Sequence, residues 1–207
     1  MSPILLLAPG AGAPSTSPWM ERWAALLGAL GPVERFDYAY LRAGRRRPDR
    51  LPALVAAHRA ALAAARARHP GPAVLAGKSM GGRVGCHLAL EEEVAALVCL
   101  GYPLRSQTGA IRDEVLLALR TPILFVQGTR DPLAPLDLLE RVRRRMRAPS
   151  SLHVVEGGDH ALQATQRDLR ARGSSREAEE ARALEAVRAF LGEHLRAAAG
   201  PAAPDPG

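Results

Sequence analysis

The chain of 207 residues has little lysine, few aromatic residues and two cysteines. Lys78 is its single lysine, so nearly all of the 28 basic residues are arginines. The net charge is +7, but the arginines are scattered and the aromatic residues (4%) seldom lie among them. This pattern does not favour nucleic-acid binding. The arginine runs 45–47 and 143–145 are typical of solvated surface, with contact to an anionic partner as the alternative.

The cysteines and the hydrophobic runs exclude further classes of protein. Cys86 lies in a predicted apolar helix and Cys99 in a predicted apolar strand, which favours buried thiols over a disulfide or a metal pair. No segment approaches the roughly 18 apolar residues of a membrane-spanning helix, and the run 4–8 lacks the basic region of a signal peptide. We therefore expect a cytoplasmic protein with no membrane partner and no metal.

Short apolar runs alternate with longer helical patterns along the chain. The predicted strands are 3–8, 33–38, 73–77, 94–100, 122–127 and 151–155, and the predicted helices lie near 18–30, 50–68, 80–91, 112–119, 135–147 and 178–197. This alternation predicts an α/β fold, a doubly wound, mostly parallel sheet of about six strands with helices on both faces. We expect one domain over residues 1–196 and a disordered, Ala- and Pro-rich tail over 197–207.

The sequence Gly-Lys-Ser-Met-Gly at residues 77–81 directly follows the apolar run 73–76. A Gly-x-Ser-x-Gly pattern between a strand and a helix is typical of a tight turn that exposes its serine as a nucleophile. The same segment ends like a phosphate-binding P-loop, but Pro72 stands where that motif needs glycine. The segment therefore predicts Ser79 as a nucleophile.

The partners that such a serine needs follow in the chain order of doubly wound hydrolases. Asp131 comes just after the predicted strand 122–127, and His160 lies on a glycine-rich loop after the strand 151–155. Because parallel strands place their carboxyl ends at one edge of the sheet, we expect a Ser79–His160–Asp131 triad there. Asp159 is too close to His160 in the chain to orient its ring, and we expect it to bind backbone N–H groups of the loop.

Two further parts of the site are expected from neighbouring loops. The backbone N–H of Met80 and that of Ala11 or Gly12, after the first strand, are the expected oxyanion donors. Tyr102, Pro103 and Leu104 lie in the short segment between the fourth and fifth strands and are expected to form one wall of the substrate pocket. That segment is too short for a cap domain, which favours a small acyl group. Arg83 and Glu156 could contact a substrate, although a structural or exposed role is expected for both.

These motifs resemble the α/β-hydrolase superfamily, in particular its small dienelactone-hydrolase-like branch. The resemblance is carried by residues 8–12, 77–83, 101–104, 125–131 and 157–160. Within this branch, the chain resembles the group that contains testis-expressed protein 30 and the third regulatory subunit of the NSL acetyltransferase complex. The resemblance implies a minimal, capless α/β-hydrolase fold with Ser79, Asp131 and His160 as its catalytic triad.

We therefore expect a serine hydrolase that cleaves an ester, thioester or related acyl bond of a small-molecule substrate through an acyl-enzyme, without a cofactor. Acyl transfer to another acceptor would use the same residues. The alternative is a catalytically silent protein of this fold that serves as a protein-binding module, because some members of the family act as partners in larger assemblies.

Overall fold

An all-parallel sheet of six strands forms the centre of the protein, in a computed structural model that describes residues 2–106 and 108–198. The strands are β1 (Ile4–Ala8), β2 (Val33–Arg35), β3 (Ala73–Lys78), β4 (Ala96–Leu100), β5 (Ile123–Gly128) and β6 (Ser150–Val155). Their order across the sheet is β2-β1-β3-β4-β5-β6. The predicted doubly wound sheet is confirmed, and it is parallel throughout.

Eight helices are described around this sheet in residues 2–106 and 108–198. They are α1 (Pro18–Leu27), α2 (Ala39–Arg42), α3 (Leu51–Arg68), α4 (Met80–Leu88), α5 (Glu114–Ala118), α6 (Leu136–Arg143), α7 (Gln166–Ala171) and α8 (Arg176–Ala198). The sequence did not predict α2 and α7, which have four and six residues. Helices this short do not repeat the 3.6-residue period often enough to leave a pattern.

The two faces of the sheet are covered by different helices. Alternate residues of β1 show the division, because Ile4 and Leu6 join one buried cluster while Leu5 and Leu7 join the other. The first cluster includes side chains of α3, α4 and α6, and the second includes side chains of α1 and α8. Burial on both faces explains why β1, β3, β4 and β5 are nearly continuous apolar runs.

The described part of the segment between β4 and β5 contains no cap domain. In its described residues, 101–106 and 108–122, the only helix is α5, and Arg105 and Ile111 form an isolated antiparallel bridge. One five-residue helix is too short to cover the edge of the sheet. The described residues of this segment therefore form no domain over the carboxyl edge of the sheet.

Several smaller expectations can be compared with the described residues. Cys86 of α4 and Cys99 of β4 are buried free thiols with their sulfur atoms 3.9 Å apart, as predicted. Residues 197 and 198 of the predicted tail continue α8, and residues 199–207 lie outside the described residues. Among the helices of the described ranges, none has the length and apolar character needed to cross a membrane.

Candidate active site

Ser79, Asp131 and His160 meet at the carboxyl edge of the sheet. Ser79 directly follows β3, Asp131 lies just beyond β5 and His160 lies on the loop after β6. From β1, the chain adds β2 on one side of the sheet and then adds β3 on the opposite side. The order of the strands therefore reverses between β1 and β3, beside Ser79. Open α/β sheets place their binding crevices at such switch points.

His160 bridges the other two residues through its two ring nitrogens. Its Nε2 lies 2.7 Å from Ser79 Oγ, and its Nδ1 lies 2.7 Å from Asp131 Oδ2. The carboxylate can only accept, so the N–H group of the neutral ring is at Nδ1 and donates a hydrogen bond to Asp131. Nε2 is then free to accept the hydroxyl proton of Ser79, which is the arrangement that activates a serine.

The turn that presents Ser79 is strained. Ser79 has φ +48° and ψ −114°, a backbone conformation that residues with a Cβ rarely adopt. Two hydrogen bonds hold it there, because the Ser79 N–H donates to the carbonyl of Leu100 at 3.0 Å and the Arg83 N–H donates to the carbonyl of Ser79 at 3.1 Å. The surrounding backbone thus imposes a conformation that aims the hydroxyl at His160.

The glycines on both sides of the serine are needed for two different reasons. A Cβ on Gly81 would lie 2.6 Å from the carbonyl oxygen of Ala8, at the end of the neighbouring strand β1. A Cβ on Gly77 would lie 2.3 Å from the backbone nitrogen of Gly82, within α4 itself. The first contact is therefore made with a neighbouring strand, whereas the second is made with the helix that follows the serine.

The carboxylate of Asp131 is buried, and both of its oxygens accept hydrogen bonds. Besides His160, it accepts hydrogen bonds from the Leu133 N–H at 2.9 Å and from the side-chain amide of Gln127. Gln127 is itself fully buried, and its side-chain oxygen accepts from the Tyr102 N–H at 2.9 Å. Sequence reasoning missed Gln127, although a polar residue within the apolar run of β5 is a signal of such a role.

The loop that carries His160 is closed by Asp159, as predicted. One carboxylate oxygen of Asp159 accepts from the N–H groups of Ala161 and Gln163, at 2.7 and 3.0 Å. Leu162 in the same loop has a positive φ of 63° and is buried in the second core cluster. The loop is therefore fixed by hydrogen bonds and by an apolar anchor.

Lys78 and Trp19 hold the same loop from the other side. The ammonium of Lys78 lies 4.1 Å from the centre of the Trp19 ring and donates to the His160 carbonyl at 3.4 Å. The indole N–H of Trp19 donates to the Ala161 carbonyl at 2.9 Å. Burial lowers the pKa of Lys78 to about 8, although the nearby Asp159 and Asp131 act in the opposite direction. The chain's single lysine thus supports the backbone of His160.

A cavity of about 450 Å³ opens in front of Ser79. Of the three residues predicted to form its wall, Pro103 lines it. Tyr102 and Leu104 do not, because both are fully buried in the first core cluster, where the Tyr102 ring packs edge-on against Phe125. Of these three residues, only Pro103 therefore faces the cavity.

Of the expected oxyanion donors, Met80 and Ala11 also line this cavity. Within the described part of the chain, neither backbone N–H donates to another protein group, and that of Met80 is the first of α4. The Tyr40 hydroxyl donates a hydrogen bond to the Ala11 carbonyl at 3.0 Å, which fixes the position of Ala11. Gly12 is exposed in the turn and is not part of the cavity wall.

An all-parallel sheet with a positive-φ serine between β3 and α4 is the architecture of an α/β hydrolase. The sequence model of the family described as alpha/beta hydrolase domain matches residues 1–192. The chain belongs to this family.

Solved structures of other proteins share the fold. A dienelactone hydrolase from Anabaena variabilis is 19% identical with a TM-score of 0.68, over 93% of this chain and 87% of that one. An α/β serine hydrolase without lid from Xanthomonas campestris is 17% identical with a TM-score of 0.68, over 93% and 82% of the two chains. A serine hydrolase homologue from Coxiella burnetii is 21% identical with a TM-score of 0.64, over 77% and 76%.

Proposed function

We propose that this protein is a serine hydrolase that cleaves an ester, thioester or related acyl bond of a small substrate. The observation that carries the proposal is the position of His160, whose ring nitrogens lie 2.7 Å from Ser79 Oγ and 2.7 Å from Asp131 Oδ2. In this proposal Ser79 is the nucleophile, His160 the general base and acid, and Asp131 the carboxylate that orients the ring.

The reaction proceeds in two halves. Ser79 Oγ attacks the acyl carbon while its proton passes to His160 Nε2, and the imidazolium then returns that proton to the departing alcohol or thiol. Water repeats the sequence on the acyl-enzyme, which releases the acid and restores Ser79. Asp131 orients the ring and stabilises the imidazolium. The N–H groups of Met80 and Ala11 stabilise the oxyanion of each tetrahedral intermediate.

The open site favours small substrates. The cavity of about 450 Å³ has no cap above it in the described residues, so a long acyl chain would remain largely in water. The proposal includes the narrower resemblance to the testis-expressed protein 30 group, supported by the motifs at 8–12 and 77–83. It also includes a cytoplasmic location, which the two free thiols favour.

A fluorophosphonate probe tests this proposal, because it phosphonylates serines that an adjacent base activates. We expect mass spectrometry to locate the adduct on Ser79. His160→Ala should abolish labelling and reduce hydrolysis of short-chain p-nitrophenyl esters by roughly 10⁴–10⁶-fold. Circular dichroism should show that the variant is folded. An unlabelled Ser79 in folded wild-type protein would refute the proposal and favour the protein-binding module.

A further inference from the structure

The cavity in front of Ser79 is lined by three arginines. Arg83 comes from α4, and Arg105 and Arg112 come from the segment between β4 and β5. Among the described residues of the cavity wall, the one acidic residue is Asp49. It is paired with Arg45, its carboxylate lying 2.8 Å from the guanidinium. Positive charge therefore exceeds negative charge beside the nucleophile.

These arginines differ from many others of the chain in having no acidic partner. Arg130 pairs with Asp168 at 2.6 Å and Arg141 with Asp137 at 2.7 Å, as two examples of paired arginines. Within residues 2–106 and 108–198, none of the three cavity arginines forms an ion pair with Asp or Glu. No carboxylate of the described structure therefore lies within ion-pairing distance of them.

Two of these guanidinium groups are also partly removed from water. The Nε of Arg83 is buried and has no hydrogen-bond partner in the described part of the protein, and its terminal nitrogen lies 3.3 Å from His87 Nε2. Burial and the charge of Arg83 both lower the pKa of Arg112. An unpaired charge of this kind costs free energy unless an anion arrives to pair with it.

The backbone holds these arginines close to the reacting atoms. The Arg83 N–H donates to the Ser79 carbonyl at 3.1 Å, so Arg83 stands one helical turn after the nucleophile. The Arg112 N–H donates to the Leu104 carbonyl at 2.8 Å, and Arg105 forms the antiparallel bridge with Ile111. The positive side of the cavity is thus built on hydrogen-bonded backbone.

We propose that the substrate of this hydrolase carries an anionic oxygen group, a carboxylate or a phosphate, which Arg83 and Arg112 bind while Ser79 attacks the acyl carbon. The inference rests on the hydrolase function proposed above and specifies its substrate class. A guanidinium presents a planar fork of donors that matches two oxygens of either group. Arg105 is exposed at the rim of the cavity, where its charge attracts the anionic substrate at longer range.

A pair of esters tests the inference in the intact enzyme. The p-nitrophenyl monoester of adipic acid carries a free carboxylate, and its methyl ester carries the same chain without the charge. We expect wild-type kcat/KM to be at least about 10-fold higher for the charged ester, since hydrogen bonds to charged groups are the strong ones. Arg112→Gln should reduce this ratio by roughly 10-fold.

The variants need a matched control. Arg141→Gln also removes a guanidinium, but from the exposed face of α6, where Arg141 pairs with Asp137 outside the cavity. It should keep the wild-type ratio between the two esters. Arg83→Gln should lower the ratio further when combined with Arg112→Gln, and if it does not fold, Arg112→Gln alone still decides the result.

Binding to an inactive enzyme distinguishes the two kinds of anion. Ser79→Ala protein is titrated by calorimetry with adipate and separately with inorganic phosphate. Tighter adipate binding assigns a carboxylate, and tighter phosphate binding assigns a phosphate. In both cases Arg112→Gln in the Ser79→Ala background should weaken binding by roughly 10-fold. Binding of neither anion would overturn the inference.

The failures of the two proposals differ. If both esters are hydrolysed in a Ser79-dependent way with equal kcat/KM, or if Arg112→Gln leaves their ratio unchanged, the anionic substrate is refuted and the hydrolase stands. If neither ester is hydrolysed and the fluorophosphonate probe does not label Ser79, the hydrolase is refuted, and the substrate inference falls with it.

Discussion

The backbone strain at Ser79 leads to a prediction about the stability of the protein that does not depend on its catalytic activity. With φ +48° and ψ −114°, Ser79 occupies a region that glycine enters readily and other residues enter at a cost of about 1–3 kcal/mol. Ser79→Gly should relieve this strain. Ser79→Ala removes the same hydroxyl and keeps the Cβ, so the two variants form a matched pair.

The expected difference follows from two opposing terms. Both variants lose the 2.7 Å contact with His160 Nε2, so that loss cancels between them. Glycine relieves the strain, but its greater freedom in the unfolded chain offsets about 0.4–1 kcal/mol of the gain. Ser79→Gly should therefore unfold with a free energy about 0.5–2 kcal/mol larger than Ser79→Ala. At about 2–4 °C per kcal/mol, the difference in Tm is also measurable.

Urea unfolding followed by circular dichroism measures this difference, with equal m-values confirming that the same surface is exposed. The same two substitutions at Ser151, in the extended strand β6, serve as the control, because there glycine has no strain to relieve and should be the less stable variant. If Ser79→Ala is as stable as Ser79→Gly, the surrounding structure does not impose the strain and the argument is refuted.

Three other properties can be measured by unfolding experiments. In Gly128→Ala the new Cβ would lie 2.2 Å from a backbone oxygen of the loop before His160, so we expect the free energy of unfolding to fall by about 2–4 kcal/mol. In the control Gly12→Ala the new Cβ would have no atom within 4 Å, so the free energy of unfolding should change by less than about 0.5 kcal/mol. Burial lowers the pKa of His58 to about 3, so the folded state binds fewer protons than the unfolded state between about pH 6.5 and 3. Stability should fall as the pH falls through this window, by up to about 1.4 kcal/mol per pH unit, and His58→Phe should reduce the slope. Burial lowers the pKa of Lys78 to about 8, so the folded state binds fewer protons than the unfolded state between about pH 8 and 10. Stability should therefore rise with pH through this window, and Lys78→Met should remove that rise.

Each of these predictions would be contradicted by a specific result. Equal stability of the two glycine variants would show that the loop before His160 moves freely. A pH slope that His58→Phe leaves unchanged would place the acid sensitivity in other groups. An unaltered alkaline rise in Lys78→Met would mean that the ammonium is solvated in the folded protein.

Local patterns in the sequence were sufficient to predict where the strands lie and to select the three residues of the proposed triad. The central strands are buried on both faces, so each appears as a nearly continuous apolar run bounded by Gly, Pro or polar residues. Ser79, Asp131 and His160 each follow such a run closely. Once the strands are taken as parallel, their carboxyl ends share one edge, and the meeting of the three side chains follows from topology.

Only the tertiary structure decided which neighbouring residues face the cavity. Pro103 lines it while Tyr102 and Leu104 enter the core, because packing against β5 sets the direction of each side chain. Sequence analysis expected a structural or exposed role for Arg83 and assigned none to Arg112, and the fold brings them together beside Ser79. Strand periodicity and turn residues act over a few neighbours and can be read along the chain. The direction of a loop side chain depends on packing between segments far apart in sequence, which no local pattern encodes.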